Sequence, residues 1–206
     1  MIKNILFDLG GVIMDIRRDN CVEAFKKLGM ADPGQFLGDY AQKGPFQGVE
    51  DGSVSASQFR DEIRKLIPVR LSDEEIDDAF SQFLIGIPTH RLGELERLHE
   101  SYRLLMLSNT NPIMWNGKID SEFRKAGHDV GHYFDGIALS YEAKAMKPDL
   151  RIFRYAIEKL KMDPNETIFL DDSQTNLDAA ARLGFKTLLV PPEKEFYQLL
   201  KDVNIQ

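Results

Sequence analysis

Short, unbroken apolar runs recur along this chain, at Ile2 to Phe7, Leu104 to Leu107, Ile137 to Leu139, Thr167 to Leu170 and Thr187 to Val190. They constrain the fold more than any other feature. A continuous rather than alternating run suits a strand covered on both faces, as in a parallel sheet. Helical patterns lie between the runs. From Asp149 to Leu160, the residues Ile152, Phe153, Ala156, Ile157 and Leu160 share one face at three- and four-residue spacing. Ala179, Ala180 and Leu183 make another such face, closed by Gly184 as a C-terminal stop. Leu92, Leu95 and Leu98 form a core stripe, with Glu94, Glu96, Arg97 and Glu100 on a solvated face. Glu195 to Val203 predicts a last surface helix with a frayed end. Strand alternating with helix predicts an α/β fold with a doubly wound parallel sheet.

One interval breaks the alternation. Between Ile16 and Pro88 no strand is evident, but helix signals are. Arg18 to Leu28 is amphipathic and stops at Gly29, and Ser55 with Gln58 and Ser72 with Glu75 have capping-box spacing. Gly44, Pro45, Gly48 and Gly52 mark turns between helices, and Phe80, Phe83 and Leu84 are expected in their interior. The reading is a small helical unit, residues 16–88, inserted into an α/β core made of residues 1–15 and 89–206. Such an insertion sits over the carboxyl ends of the strands, where open α/β folds place their ligands.

At 206 residues, the chain suits one α/β domain with a modest insertion. Its 43% hydrophobic and 29% charged residues are those of a globular protein that buries a core. The formal net charge of −7, with no block of Lys and Arg, argues against a nucleic-acid partner and for a small substrate; no protein partner is required. Cys21 is the one cysteine, so no internal disulfide forms, and nothing nearby would lower its pKa. The apolar run of Met1 to Leu9 is too short for a signal-peptide core or a membrane span. A reducing, cytoplasmic setting is therefore expected.

Four segments follow or cap predicted strands. They are Phe7-Asp8-Leu9-Gly10-Gly11-Val12-Ile13-Met14-Asp15, then Leu107-Ser108-Asn109-Thr110, then Ala145-Met146-Lys147-Pro148-Asp149, and last Phe169-Leu170-Asp171-Asp172-Ser173-Gln174-Thr175-Asn176. A parallel sheet would gather all four at one edge. Three carboxylates, a lysine and a hydroxyl meeting there suit phosphoryl transfer. Asp8 can attack phosphorus and form an acyl phosphate, which splits one hard displacement into two. Asp171 and Asp172 supply the hard oxygens that Mg²⁺ prefers, offsetting the repulsion between carboxylate and phosphate. Lys147 neutralises charge on the transferring group, and Ser108 hydrogen-bonds its oxygens. The glycines after Asp8 allow a sharp turn.

In this order and spacing, the four segments resemble the motifs of the haloacid-dehalogenase (HAD) superfamily, over nearly the whole chain. The resemblance implies a Rossmann-like core with a helical cap of the first type, and a Mg²⁺-dependent phosphatase acting on a small phosphorylated metabolite through an aspartyl-phosphate. Asp8 matches the family nucleophile, and Gly10 the position whose backbone carbonyl ligates the metal. Asp172 matches the direct metal ligand, and Asp171 its partner acting through water. Ser108 and Asn109 match the phosphate-binding hydroxyl and its neighbour, and Lys147 the lysine bridging nucleophile and phosphate. Family phosphatases usually carry a second aspartate two residues after the nucleophile as general acid, and here that position is Gly10. The DLGG form resembles a subgroup that includes α-D-glucose-1-phosphate phosphatases, so a sugar 1-phosphate, with its better leaving group, is one expected substrate. A water beside Gly10 or a group on the cap is another source of the proton; no residue is singled out. Two other readings stand beside the phosphatase: a metal-independent dehalogenase, which the Asp171–Asp172 pair argues against, and an idle binding scaffold, which the otherwise complete set argues against.

Other residues carry plainer readings. Asp15 is a hinge or capping residue, Ser173 a helix N-cap, and His90 a first-turn residue. His128 and His132 belong to a surface loop, with no third ligand at suitable spacing. Trp115, near Asn111 and Met114, is read as packing.

Overall fold

Strand β1 (Asn4–Phe7) opens the chain with every residue buried, in a computed structural model that describes residues 1–38 and 42–205. After it the backbone folds back sharply. The amides of Ile13 and Met14 both reach the Leu9 carbonyl, at 2.9 and 2.8 Å, and Gly11 takes φ +75°, a region costly for residues with a side chain. The turn delivers β2 (Asp15–Ile16). Helices α1 (Arg18–Lys27), α2 (Gly44–Glu50), α3 (Ala56–Lys65) and α4 (Asp73–Ser81) follow, before β3 (Leu84–Gly86) returns antiparallel to β2.

That ribbon corrects the expectation of a strand-free interval. Strands of two and three residues are too short to show a period. A second correction concerns the glycines. Gly44 and Pro45 open α2 rather than end a segment, as proline in a first helical turn can. Gly48 lies inside α2, where a Cβ would come within 2.6 Å of Val54 Cγ2. Both expected capping boxes form, Ser55 with Gln58 and Ser72 with Glu75.

The remainder alternates as expected. In order come α5 (Thr89–His99), β4 (Arg103–Ser108), α6 (Pro112–Met114), a π-turn at Trp115–Ile119, α7 (Asp120–Arg124), α8 (Val130–Tyr133), β5 (Gly136–Leu139), α9 (Ser140–Ala143), α10 (Leu150–Leu160), β6 (Thr167–Asp171), α11 (Gln174–Ala181), β7 (Lys186–Leu189) and α12 (Phe196–Asp202). Five strands form one parallel sheet in the order β5-β4-β1-β6-β7. The chain leaves central β1 for β4 and β5, then crosses to β6 and β7 on the other side. That reversal leaves a crevice at the carboxyl end of β1. Alternate strand residues feed two cores. Ile5, Phe7, Leu104 and Met106 join an apolar cluster that runs on into α5, α12 and the inserted helices. Leu6, Leu105, Leu107 and Phe169 pack instead on α10 and α11. Covering both faces is what makes the central strands β1, β4 and β6 read as unbroken apolar runs, whereas the edge strand β7 is half-buried. The end of the chain is docked rather than frayed: Ile205 is buried, and its amide reaches the Leu200 carbonyl at 2.9 Å. Among the described residues no helix is long and apolar enough to cross a membrane.

Phe46 on α2 centres the inserted segment. Its ring meets those of Phe25, Phe59 and Phe80 edge-on, each at 5.2 Å between centroids, and is fully buried. Edge-on aromatic contacts add to area burial. Phe46→Ala should lower unfolding free energy by about 3–5 kcal/mol in urea denaturation. A loss under about 1 kcal/mol would show that this aromatic knot does not hold the segment together.

Candidate active site

β1 and β6 are neighbours in register, with Phe7 opposite Leu170, so the carboxylates of Asp8 and Asp171 emerge side by side. Lys147, from the loop between α9 and α10, reaches in between them. Its Nζ lies 2.8 Å from Asp8 Oδ1 and 2.7 Å from Asp171 Oδ2, with all three residues buried. Asn109, just past β4, fixes that loop: its Oδ1 accepts the Lys147 amide at 2.9 Å and its Nδ2 donates to the Lys147 carbonyl at 3.1 Å. Both ends of the Asn109 side chain thus hold the Lys147 backbone, while Asn109 also lines the cavity these groups open into. Ser108 ends β4 and is buried at the same edge.

Burial pushes the Asp8 carboxyl up to about 8; Lys147 pulls it down, and Asp171 and Asp172 push it up again. Burial alone would favour a neutral lysine, but Asp171 and Asp8 outweigh it and hold Lys147 above its ordinary value. Asp171 has no free oxygen, for Oδ1 accepts the Ser173 amide at 2.8 Å and Asn176 Nδ2 at 2.9 Å, while Oδ2 faces Lys147. Ser173 does stand at the N-cap of α11, yet its side chain makes no capping bond. Asp172 is less enclosed and is pushed up to about 6, by burial and then by Asp171. Its carboxylate lies against Gly11, where a Cβ would fall 2.4 Å from Asp172 Oδ2. Ligand oxygens of Asp8, Asp171 and Asp172 all lie within 4.8 Å of one another, a hard-oxygen set suited to a hard dication.

These groups open into a cavity of about 100 Å³, lined from the sheet by Asp8, Ser108, Lys147 and Asp172. Gly10 borders it. A Cβ there would meet only Ile16 Cγ2 at 3.5 Å and Cδ1 at 3.6 Å, ordinary contacts, so packing does not demand glycine. From the inserted segment come Ile16, Gln42, Glu50, Phe83 and Leu84. Phe83 and Leu84, expected in the helical interior, belong to the apolar cluster of the inserted helices and also line the cavity. Glu50 had no sequence signal. It ends α2, only 8% exposed, and among the described residues its carboxyl has no hydrogen bond or ion pair. Burial, with the neighbouring Asp51, pushes it up to about 8.

The remaining candidates fall outside the cavity. Asp15 pairs with Arg91 at 2.7 Å, and Arg91 also holds Glu195 at 2.8 Å, so Asp15 braces the hinge of the insertion. Trp115 packs on the core, whereas Met114 and Ile119 of the same run line the cavity. His90 stands in the first turn of α5. Cys21 is buried, which raises its thiol pKa. His132 lies in α8, and Glu96 of α5, 3.0 Å away, supplies the third ligand-type group that sequence spacing did not reveal; all three, with His128, are exposed.

Residues 2–184 match the haloacid dehalogenase-like hydrolase family. The chain is 40% identical to the D-ribitol-5-phosphate phosphatase of Bacteroides thetaiotaomicron, across 91% of each. The chain belongs to the haloacid dehalogenase-like hydrolases. A HAD family enzyme of B. thetaiotaomicron, crystallised with magnesium and inorganic phosphate, superposes with a TM-score of 0.90 at 38% identity, covering 97% of this chain and 99% of that one. A HAD-like family hydrolase of Porphyromonas gingivalis gives 0.91 at 32% identity, covering 100% and 99%. The HAD-like fold thus extends to the helical insertion as well as the sheet.

Lys147→Met should cost about 3–5 kcal/mol of unfolding free energy in EDTA, since it leaves two buried carboxylates facing each other. A cost below about 1 kcal/mol would mean that the carboxylates find other compensation.

Proposed function

We propose that this HAD-like hydrolase is a Mg²⁺-dependent phosphomonoesterase that forms an aspartyl-phosphate on Asp8. One observation carries the reading: Asp8 stands at the sheet's switch point with Lys147 Nζ 2.8 Å away and two further carboxylates beside it. Asp8, Asp172 and the Gly10 carbonyl are the groups we assign to hold the metal, with Asp171 orienting the site through Lys147 and Asn176. When bound, Mg²⁺ neutralises charge that would otherwise keep carboxylate and phosphate apart. Asp8 Oδ attacks phosphorus as the ester P–O bond breaks, Lys147 offsets the charge on the transferring group, and Ser108 hydrogen-bonds its oxygens. Water then attacks the acyl phosphate, releases phosphate and restores Asp8.

Residues 1–15 and 89–206 serve as the core and residues 16–88 as the cap. The cavity of about 100 Å³ is well below the ~300–1,000 Å³ of ordinary ligand sites. Closure of the cap over a bound phosphoester would exclude water from the site. The substrate class is a small polyhydroxy phosphomonoester. The relative named for D-ribitol 5-phosphate favours an acyclic alditol phosphate. Gly10 favours the second reading, a sugar 1-phosphate with a more stable leaving group. A dehalogenase reading has weaker support: the (S)-2-haloacid dehalogenase 4A of Burkholderia cepacia is 30% identical over 53% of this chain.

Phosphate release from a panel of alditol and sugar phosphates should require Mg²⁺, stop in EDTA, and fall at least ~10³-fold in Asp8→Asn, which removes the nucleophile. Alditol 5-phosphates leading the panel would support the first substrate class, and sugar 1-phosphates the second. Metal-independent halide release from a 2-haloacid, with no phosphate release, would overturn the proposal.

A further inference from the structure

We propose that Glu50 is the general acid of this hydrolase, protonating the leaving oxygen from the cap in place of the side chain that Gly10 lacks. The proposal rests on the phosphomonoesterase reading above and adds the residue that reading leaves open. An alkyl phosphate expels a strongly basic alkoxide, and a positioned proton donor is worth about 10²–10⁴-fold in such a step. Nothing at Gly10 can donate, although a side chain would fit there. The donor must stand elsewhere.

Geometry restricts where. Attacking and leaving oxygens lie roughly in line through phosphorus, so the leaving oxygen points away from Asp8. From the insertion, Ile16, Gln42, Glu50, Phe83 and Leu84 line the cavity. Among the described residues, Glu50 is the one carboxyl that the insertion contributes to it. Its backbone is anchored to the sheet edge: Ser140 Oγ lies 2.7 Å from the Glu50 carbonyl and accepts the Thr110 amide at 2.9 Å, one residue past Asn109. The following turn is seated on the same edge, since a Cβ on Gly52 would come within 2.2 Å of the Tyr141 carbonyl, and Lys144 Nζ donates to the Gly52 carbonyl. The backbone that carries the acid is thereby anchored to the strand ends, and its side chain lines the same cavity as Asp8.

Its proton is available. The carboxyl is buried and lacks a partner among the described residues, and burial with the neighbouring Asp51 favours its protonated form. The charged or titratable groups that bear on it are Asp51 on its own turn and Cys21 of α1, with Asp8, Lys147 and Asp172 lining the same cavity. As the ester P–O bond breaks, its electron pair stays on the leaving oxygen, which takes the Glu50 proton and departs as an alcohol. The Glu50 carboxylate then recovers a proton from the water that attacks the acyl phosphate. The sum is one water added across the ester.

The test compares Glu50→Gln with the unmodified protein, in Mg²⁺, on D-ribitol 5-phosphate and on p-nitrophenyl phosphate, whose leaving group is stable as an anion. We expect kcat on the alditol phosphate to fall by about 10²–10⁴-fold, with kcat on the aryl phosphate within about threefold. Equal losses on both substrates, no loss on either, or a raised KM with kcat retained on the alditol phosphate would each overturn the acid role and leave the phosphomonoesterase reading standing. Should Glu50→Gln not fold by circular dichroism, the unmodified protein decides. A shallow dependence of kcat on leaving-group pKa across alkyl and aryl phosphates supports a proton donor, and a steep one overturns it. No phosphate release by the unmodified protein from any phosphoester would overturn both readings together.

Discussion

The ammonium of Lys147 lies 2.8 Å from Asp8 and 2.7 Å from Asp171, with all three side chains almost out of water. Each charge alone would be costly to bury, and together they satisfy one another. The rest of the site depends on this arrangement. It needs β1 and β6 side by side, so that residues following paired positions present two carboxylates together. It needs Asn109 at the end of β4, which grips the Lys147 backbone at both amide and carbonyl. It also needs Asp171 satisfied on its other oxygen, which Ser173 and Asn176 provide from α11. Three strand ends and the loop between α9 and α10 are therefore joined by one cluster of ion pairs and hydrogen bonds, which explains why four short segments far apart in sequence carry the chemistry.

The insertion completes the site from the opposite side. Its helices share an apolar cluster with one face of the sheet, and the short ribbon of β2 and β3 forms the double neck that joins them. Asp15 on that neck is held by Arg91, which also binds Glu195 near the end of the chain. Among the described residues, the insertion lines the cavity with hydrophobic side chains, Gln42 and Glu50.

Much of this was legible in the sequence, for physical reasons. Buried parallel strands show as unbroken apolar runs, and all five appear within two residues of their observed ends. Asp8, Ser108, Lys147, Asp171 and Asp172 stand at strand ends or in loops beside them, so an ordered strand reading already gathers them. The two-strand ribbon was not legible, because it is too short for a pattern. Asn109 was singled out beside Ser108, but only the folded chain shows its amide committed to Lys147. Glu50 gave no signal at all. Its burial depends on how α2 docks against Ser140, and in the sequence it is one acid beside Asp51 in a stretch read as turns. The proximity of Glu96 to His132 was hidden likewise, since 36 positions separate them and helix packing alone brings them together.

The measurement closest to the central claim is chemical trapping of the covalent intermediate. Borohydride added during turnover of a phosphoester reduces an acyl phosphate, converting the aspartate that carries it into homoserine, which peptide mass spectrometry locates. The account predicts homoserine at position 8 and nowhere else, appearing only when substrate and Mg²⁺ are both present. An unreduced Asp8 in protein that is turning over substrate, or reduction at Asp171 or Asp172 instead, would contradict it.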